Sequence, residues 1–119
     1  MARRSSVYRM AEDLRRCLEA ETRGILPTSI DVRSSLMDGP SGYTVNLEVG
    51  APSDLRIVVG LIEEDLHVRI GADTFSVDGR VLSSLCPIRI RRRARHTHLA
   101  SLASEAVGAA LATTSPGPA

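Results

Sequence analysis

The chain predicts an α+β fold: a two-layer sandwich in which an antiparallel β-meander of four to six strands carries an N-terminal and a C-terminal helix packed on one face. Three observations predict it. Apolar residues recur with helical period at both ends of the chain and with period two in between. Turn chemistry separates the alternating runs. Both helix stripes and one phase of the strands also need an apolar surface to bury against, and a single sheet face supplies it.

Val7, Met10, Ala11, Leu14 and Leu18 form one stripe, so a helix is expected over about 6–23, capped by Ser5 or Ser6 and ended near Gly24. Glu12–Arg16 and Glu19–Arg23 are i, i+4 pairs in the favourable order, giving that helix a charged outer face. Ile30, Val32 and Leu36 begin the period-two region, and Asp38-Gly39-Pro40-Ser41-Gly42 turns the chain. Tyr43, Val45, Leu47 and Val49 alternate with Thr44, Asn46 and Glu48, a half-buried strand. After the turn Gly50–Asp54, the run Leu55–Ile62 is apolar in both phases from Ile57 onward, which predicts a strand covered on both faces or one that meets a partner on its second face.

Leu66, Val68 and Ile70 predict a fourth strand with His67 and Arg69 outward. Gly71-Ala72-Asp73 is expected to be a short loop leading into a strand 74–77, and Asp78-Gly79 a tight turn. Val81, Leu82 and Leu85 follow, with Pro87 excluded from any central ladder. Leu99, Leu102, Ala103, Ala106, Val107, Ala110 and Leu111 predict a second helix over about 98–112, with Thr97 as its cap. This helix is rich in small residues and can approach a sheet or another helix closely. Residues 1–112 therefore form one domain and 113–119 a polar, frayed tail.

Composition narrows the classes. Only Tyr8, Tyr43 and Phe75 are aromatic, so the core is aliphatic. Cys17 and Cys86 are too few for a disulfide framework and read as free thiols of a reducing compartment. The Arg3-Arg4 pair is followed by a charged amphipathic helix instead of an apolar leader, and no stretch approaches the ~20 apolar residues of a membrane span. A cytoplasmic protein with no membrane contact is expected. No residue spacing suits a metal, a cofactor or a nucleophilic triad, and no glycine-rich phosphate loop occurs, so no enzymatic activity is expected.

The charge is segregated. All fifteen cations are arginine; residues 24–85 carry four against nine acids, and residues 86–119 carry five against one. Those five, Arg89, Arg91, Arg92, Arg93 and Arg95, form a ribbon suited to a polyanion or an acidic protein partner. The same ribbon is what an edge strand protected by charge looks like, and Glu63, Glu64 and Asp65 are available to neutralise it. The outward sheet face is expected to carry Asp31, Arg33, Thr44, Asn46, Glu48, Arg56, His67, Arg69, Thr74 and Ser76. Within it, Arg56, His67 and Arg69 form a candidate anion site, with Glu48 as a base.

Val58 and Ile62, together with Ala103 and Gly108 of the small-residue helix, are candidate interface positions. These observations lead to a small, non-catalytic protein-interaction module, homodimeric, that docks an acidic protein partner in an adaptor, chaperone-like or inhibitor-type role. The alternative is sequence-independent nucleic-acid binding through the 89–95 ribbon. No aromatic residue interleaves the ribbon to stack on bases.

Overall fold

A computed structural model describes residues 6–51, 54–64, 66–76, 81–91 and 96–114. Helix α1 (Ser6–Ile25) is followed by strands β1 (Val32–Gly39), β2 (Gly42–Val49), β3 (Leu55–Glu63), β4 (His67–Ser76) and β5 (Val81–Arg91), then helix α2 (His96–Thr114). The strands form one antiparallel sheet in sequential order, β1-β2-β3-β4-β5. Both helices lie on the same face. α1 covers β1 and β2, while α2 packs along α1 and reaches β5. This is the α+β sandwich expected from the alternation of periods.

The registers put one phase of each strand under the helices. Leu47, for example, sits between Ser34 of β1 and Ile57 of β3, and Val59 between Val45 and Ala72. Leu14 and Leu18 of α1, Leu47, Ile57 and Leu61 of the sheet and Leu99 of α2 are fully buried. The core is built without a buried aromatic ring; Tyr8 and Tyr43 meet edge to face at its margin, centroids 5.6 Å apart. Small side chains let α2 close over the rest: Ala103, Ala106 and Ala110 are buried beside Val107.

Ser34 is a polar member of the mostly apolar inward phase, and α1 satisfies it. Its hydroxyl donates to Glu19 Oε1 at 2.7 Å and accepts from Arg15 Nη1 at 2.8 Å. Arg23, from the same helix, donates to the Val32 carbonyl at 2.8 Å. The expected pairs also form, with Glu12–Arg16 at 3.5 Å and Glu19–Arg23 at 3.6 Å. Arg15 adds a closer bond to Glu12, donating from Nε at 3.2 Å, and this bond holds the Glu12 carboxyl below its ordinary value.

Several boundaries differ from the sequence expectation. β4 is one continuous strand, so Gly71-Ala72-Asp73 is not a loop. Two bulges in the edge strand β5 accommodate it: Cys86 and Pro87 together face Gly71, and Leu82 is an extra residue opposite the Thr74–Phe75 step. Continuity also changes the phase beyond the supposed loop. Phase continuity places Phe75, not Thr74 or Ser76, opposite Arg56 on the uncovered face. Leu66 falls in the β3–β4 turn, 75% exposed. α2 begins at His96, which leaves Thr97 inside the helix, and runs through Thr114, two residues into the expected tail. The Asp78-Gly79 turn lies outside the described residues.

The β1–β2 hairpin closes over Pro40-Ser41, with Gly39 opposite Gly42. A Cβ at Gly42 would lie 1.8 Å from the Leu61 carbonyl oxygen, whereas one at Gly60 would meet nothing within 4 Å. The β2–β3 loop places Asp54 at φ 48°, with its N–H donating to the Gly50 carbonyl at 3.1 Å.

Two outcomes follow from these contacts. Gly42→Ala should destabilise the protein by at least about 2 kcal/mol in urea unfolding, because backbone must move, while Gly60→Ala should stay within about 1 kcal/mol of wild type. Glu12 is lowered in the folded state, so its stabilisation is present above its ordinary value of 4.5 and is lost as pH falls through the folded value. The urea midpoint of wild type should therefore drop more steeply on acidification from 4.5 down through the folded value than the midpoint of Glu12→Gln.

Candidate functional site

With the helices on one face, no element among the described residues covers the other. The registers order this open face into cross-strand rows. At one end, Arg33, Glu48, Arg56 and Phe75 lie side by side. Glu48 separates two cations, Asp31 pairs with Arg33 at 2.9 Å, and the Arg56 guanidinium lies 5.4 Å from the Phe75 ring centroid. Charge at this end is balanced within the chain, and Arg56 is engaged. The next row holds Ser35, Asn46, Val58, Asp73 and Ser84, with Ser84 donating to Asp73 at 2.7 Å. Beyond it, Gly60 and Gly71 stand opposite each other and leave a shallow glycine trough at β3 and β4, while Thr44 and Met37 continue the row on β2 and β1.

The other end is different. Arg69 is directly opposite Arg89, and His67 directly opposite Arg91. All four are exposed, and Ile62, 40% exposed, adjoins Arg69 on its other side. Ile62 is uncovered because its β2 neighbour is Gly42, the glycine demanded by the Leu61 carbonyl. Arg69 and Arg89 are like charges placed opposite one another, which opposes strand pairing by a few tenths of a kcal/mol or more. Glu64 relieves one of them, with its Oε1 3.2 Å from Arg89 Nε.

The structure thus joins residues that the sequence presents in separate groups. Arg89 and Arg91 of the ribbon, His67 and Arg69 of the anion set, and Ile62 of the interface set share one corner of the open face. Arg56 does not join them: it stands six residues along β3 from Ile62, roughly 20 Å away. Val58 is half-buried on the same face, beyond the glycine trough. Ala103 is fully buried inside the molecule, so of the two α2 positions only Gly108 is at the surface. Arg92, Arg93 and Arg95 lie outside the described residues. Arg89 of the ribbon pairs with Glu64, one of the acids available to it.

A second feature had no single-residue signal. Between α2 and strands β3–β5, Leu14, Leu18, Ile70, Ile88, Leu102 and Ala106 border an apolar cleft of about 50 Å³, with Glu105 at its rim. That is far below the ~300 Å³ at which small-molecule sites begin. No three metal-ligating side chains come together among the described residues, and no helix there is long and apolar enough to cross a membrane.

Cys17 is half-buried on α1, and burial, followed by the nearby Asp13 and Glu21 carboxylates, pushes its thiol above the ordinary value of 9.0. A thiolate is the reacting species. In a Cys86→Ser background, alkylation of Cys17 by iodoacetamide at neutral pH should be slower than that of a free cysteine and should accelerate on unfolding. Comparison of the chain with protein-family models, curated proteins and solved structures finds no match, so its assignment stands at the α+β sandwich with an open, cation-cornered sheet face.

Proposed function

We propose that this chain is a small, non-catalytic interaction module, homodimeric in the cytoplasm, whose open sheet face docks an acidic protein partner in an adaptor, chaperone-like or inhibitor-type role. The observation that carries this reading is the direct opposition of Arg69 to Arg89 and of His67 to Arg91 beside the exposed Ile62. The opposition of Arg69 to Arg89 works against strand pairing in the isolated chain, and an anionic surface would relieve it. An aliphatic side chain set among cations suits a partner offering carboxylates around an apolar contact.

Nucleic acid is favoured less by the same corner. The one phenyl or phenol ring on the open face, Phe75, belongs to the opposite end and is engaged by Arg56, so the described cationic corner holds no Phe, Tyr or Trp ring on which bases would stack. Acidic proteins also approach such a face with electrostatic steering, which accelerates association and selects partners by charge.

The test is fluorescence anisotropy with two labelled probes, a peptide alternating glutamate and leucine and a duplex DNA, each at low and physiological salt. The peptide should bind, and binding should be lost in Arg69→Glu/Arg89→Glu and weakened in Ile62→Ser. Duplex DNA binding with a log–log salt slope near −4 and no dependence on Ile62 would replace this reading with the nucleic-acid one. Absence of binding to both probes would refute it.

A further inference from the structure

The two edges of the sheet are unlike. β5 is guarded: it carries two bulges, outward arginines and Pro87, which offers no N–H. β1 is eight residues long, regular throughout and free of proline. Its hydrogen-bonding direction follows from two contacts. The Asp31 carbonyl accepts from Gly50 N–H at 2.8 Å on the β2 side, while the Val32 carbonyl turns away and accepts from Arg23. By strand alternation, Ser34, Leu36 and Asp38 direct their N–H and C=O groups outward, beyond the sheet.

We infer that this edge pairs with β1 of a second copy, antiparallel about a two-fold axis at Leu36, to give a continuous ten-stranded sheet. The inference rests on the dimeric part of the reading above and places its contact at β1 instead of Val58 and Ile62. A two-fold perpendicular to the sheet requires a residue at the centre, so that like faces align and all four helices lie on one side. Leu36 is half-buried on the helix side of the sheet, and centring there brings it against its own symmetry mate.

Backbone partners favour the same register. With Leu36 central, Ser34 faces Asp38 of the second copy, with Cβ atoms about 5 Å apart. Arg15, itself paired with Glu12, is anchored on Ser34 at 2.8 Å, and Glu19 accepts from the same hydroxyl at 2.7 Å, so the incoming Asp38 meets a cation and an acid together, and symmetry repeats the arrangement. Arg33 faces Gly39 and Ser35 faces Met37, so no like charges are directly opposed on the two strands. Centring on Ser35 would instead bring Asp38 against Val32, whose carbonyl Arg23 already occupies. The open face remains uncovered in this dimer and is doubled in extent.

Sedimentation velocity over a range of concentrations, combined with amide hydrogen exchange, tests the inference. A dimer is expected in which the Ser34, Leu36 and Asp38 amides are protected at high concentration and lose that protection on dilution. Asp38→Arg, at an exposed position, should raise the dimer Kd roughly tenfold or more by facing Arg15 with a like charge. Leu36→Lys should be monomeric with unchanged circular dichroism. If Leu36→Lys fails to fold, Asp38→Arg and the exchange data decide. A dimer unaffected by Asp38→Arg, with those amides exchanging freely, overturns the β1 contact but leaves dimerisation standing. A monomer at all concentrations overturns both, and the acidic-partner reading is then judged by its peptide titration alone.

Discussion

The structure depends on the burial of one phase of a five-stranded sheet by a pair of packed helices. Without large aromatic rings, the protein assembles this layer from Leu, Ile, Val and Ala. Many short side chains must then be brought into close contact instead of a few large ones. α2 meets that requirement through alanines at its buried positions, which allow it to lie against α1 and the sheet together. Once one phase is committed to this contact, alternation leaves the other phase facing outward on every strand. The open face is therefore a consequence of the core.

Charge is arranged in two regimes by this layering. On α1, acids and arginines alternate at helical spacing and neutralise one another, and three of these side chains, Arg15, Glu19 and Arg23, also reach β1. Over β4 and β5 Arg69 stands opposite Arg89, and Glu64 pairs with Arg89. The contrast between these regimes locates the chemistry of the surface better than net charge does, since the chain as a whole is close to neutral. It also separates the balanced end of the open face, where Glu48 lies between Arg33 and Arg56, from the cationic corner.

The strand edges follow the same division. Bulges, a proline and arginines make β5 a poor template for another strand, while β1 is regular, its inward side chains Val32 and Leu36 packed on the core and its first carbonyl and Ser34 bonded to α1. A module with one closed edge, one open edge and one open face presents two distinct surfaces. One has backbone hydrogen bonds to offer; the other has cations around an aliphatic contact.

The amino-acid sequence by itself determined the element order, the α+β class and the residues of the core, because hydrophobic period reports local geometry directly. It also determined the α1 ion pairs, which depend only on i, i+4 spacing. It did not determine the extent of β4, where Gly71-Ala72-Asp73 resembles a turn but is carried through by bulges on the neighbouring strand. Nor did it reveal that Phe75 would turn outward, since the phase depends on that continuity. The candidate site was legible in pieces: the ribbon, the His67–Arg69 pair and Ile62 each stood out. That Arg69 meets Arg89, that Arg56 is about 20 Å from them, and that Ala103 is interior were decided by cross-strand register and helix docking. These are contacts between residues far apart in the chain, set by how whole elements bury one another, and no local pattern encodes them.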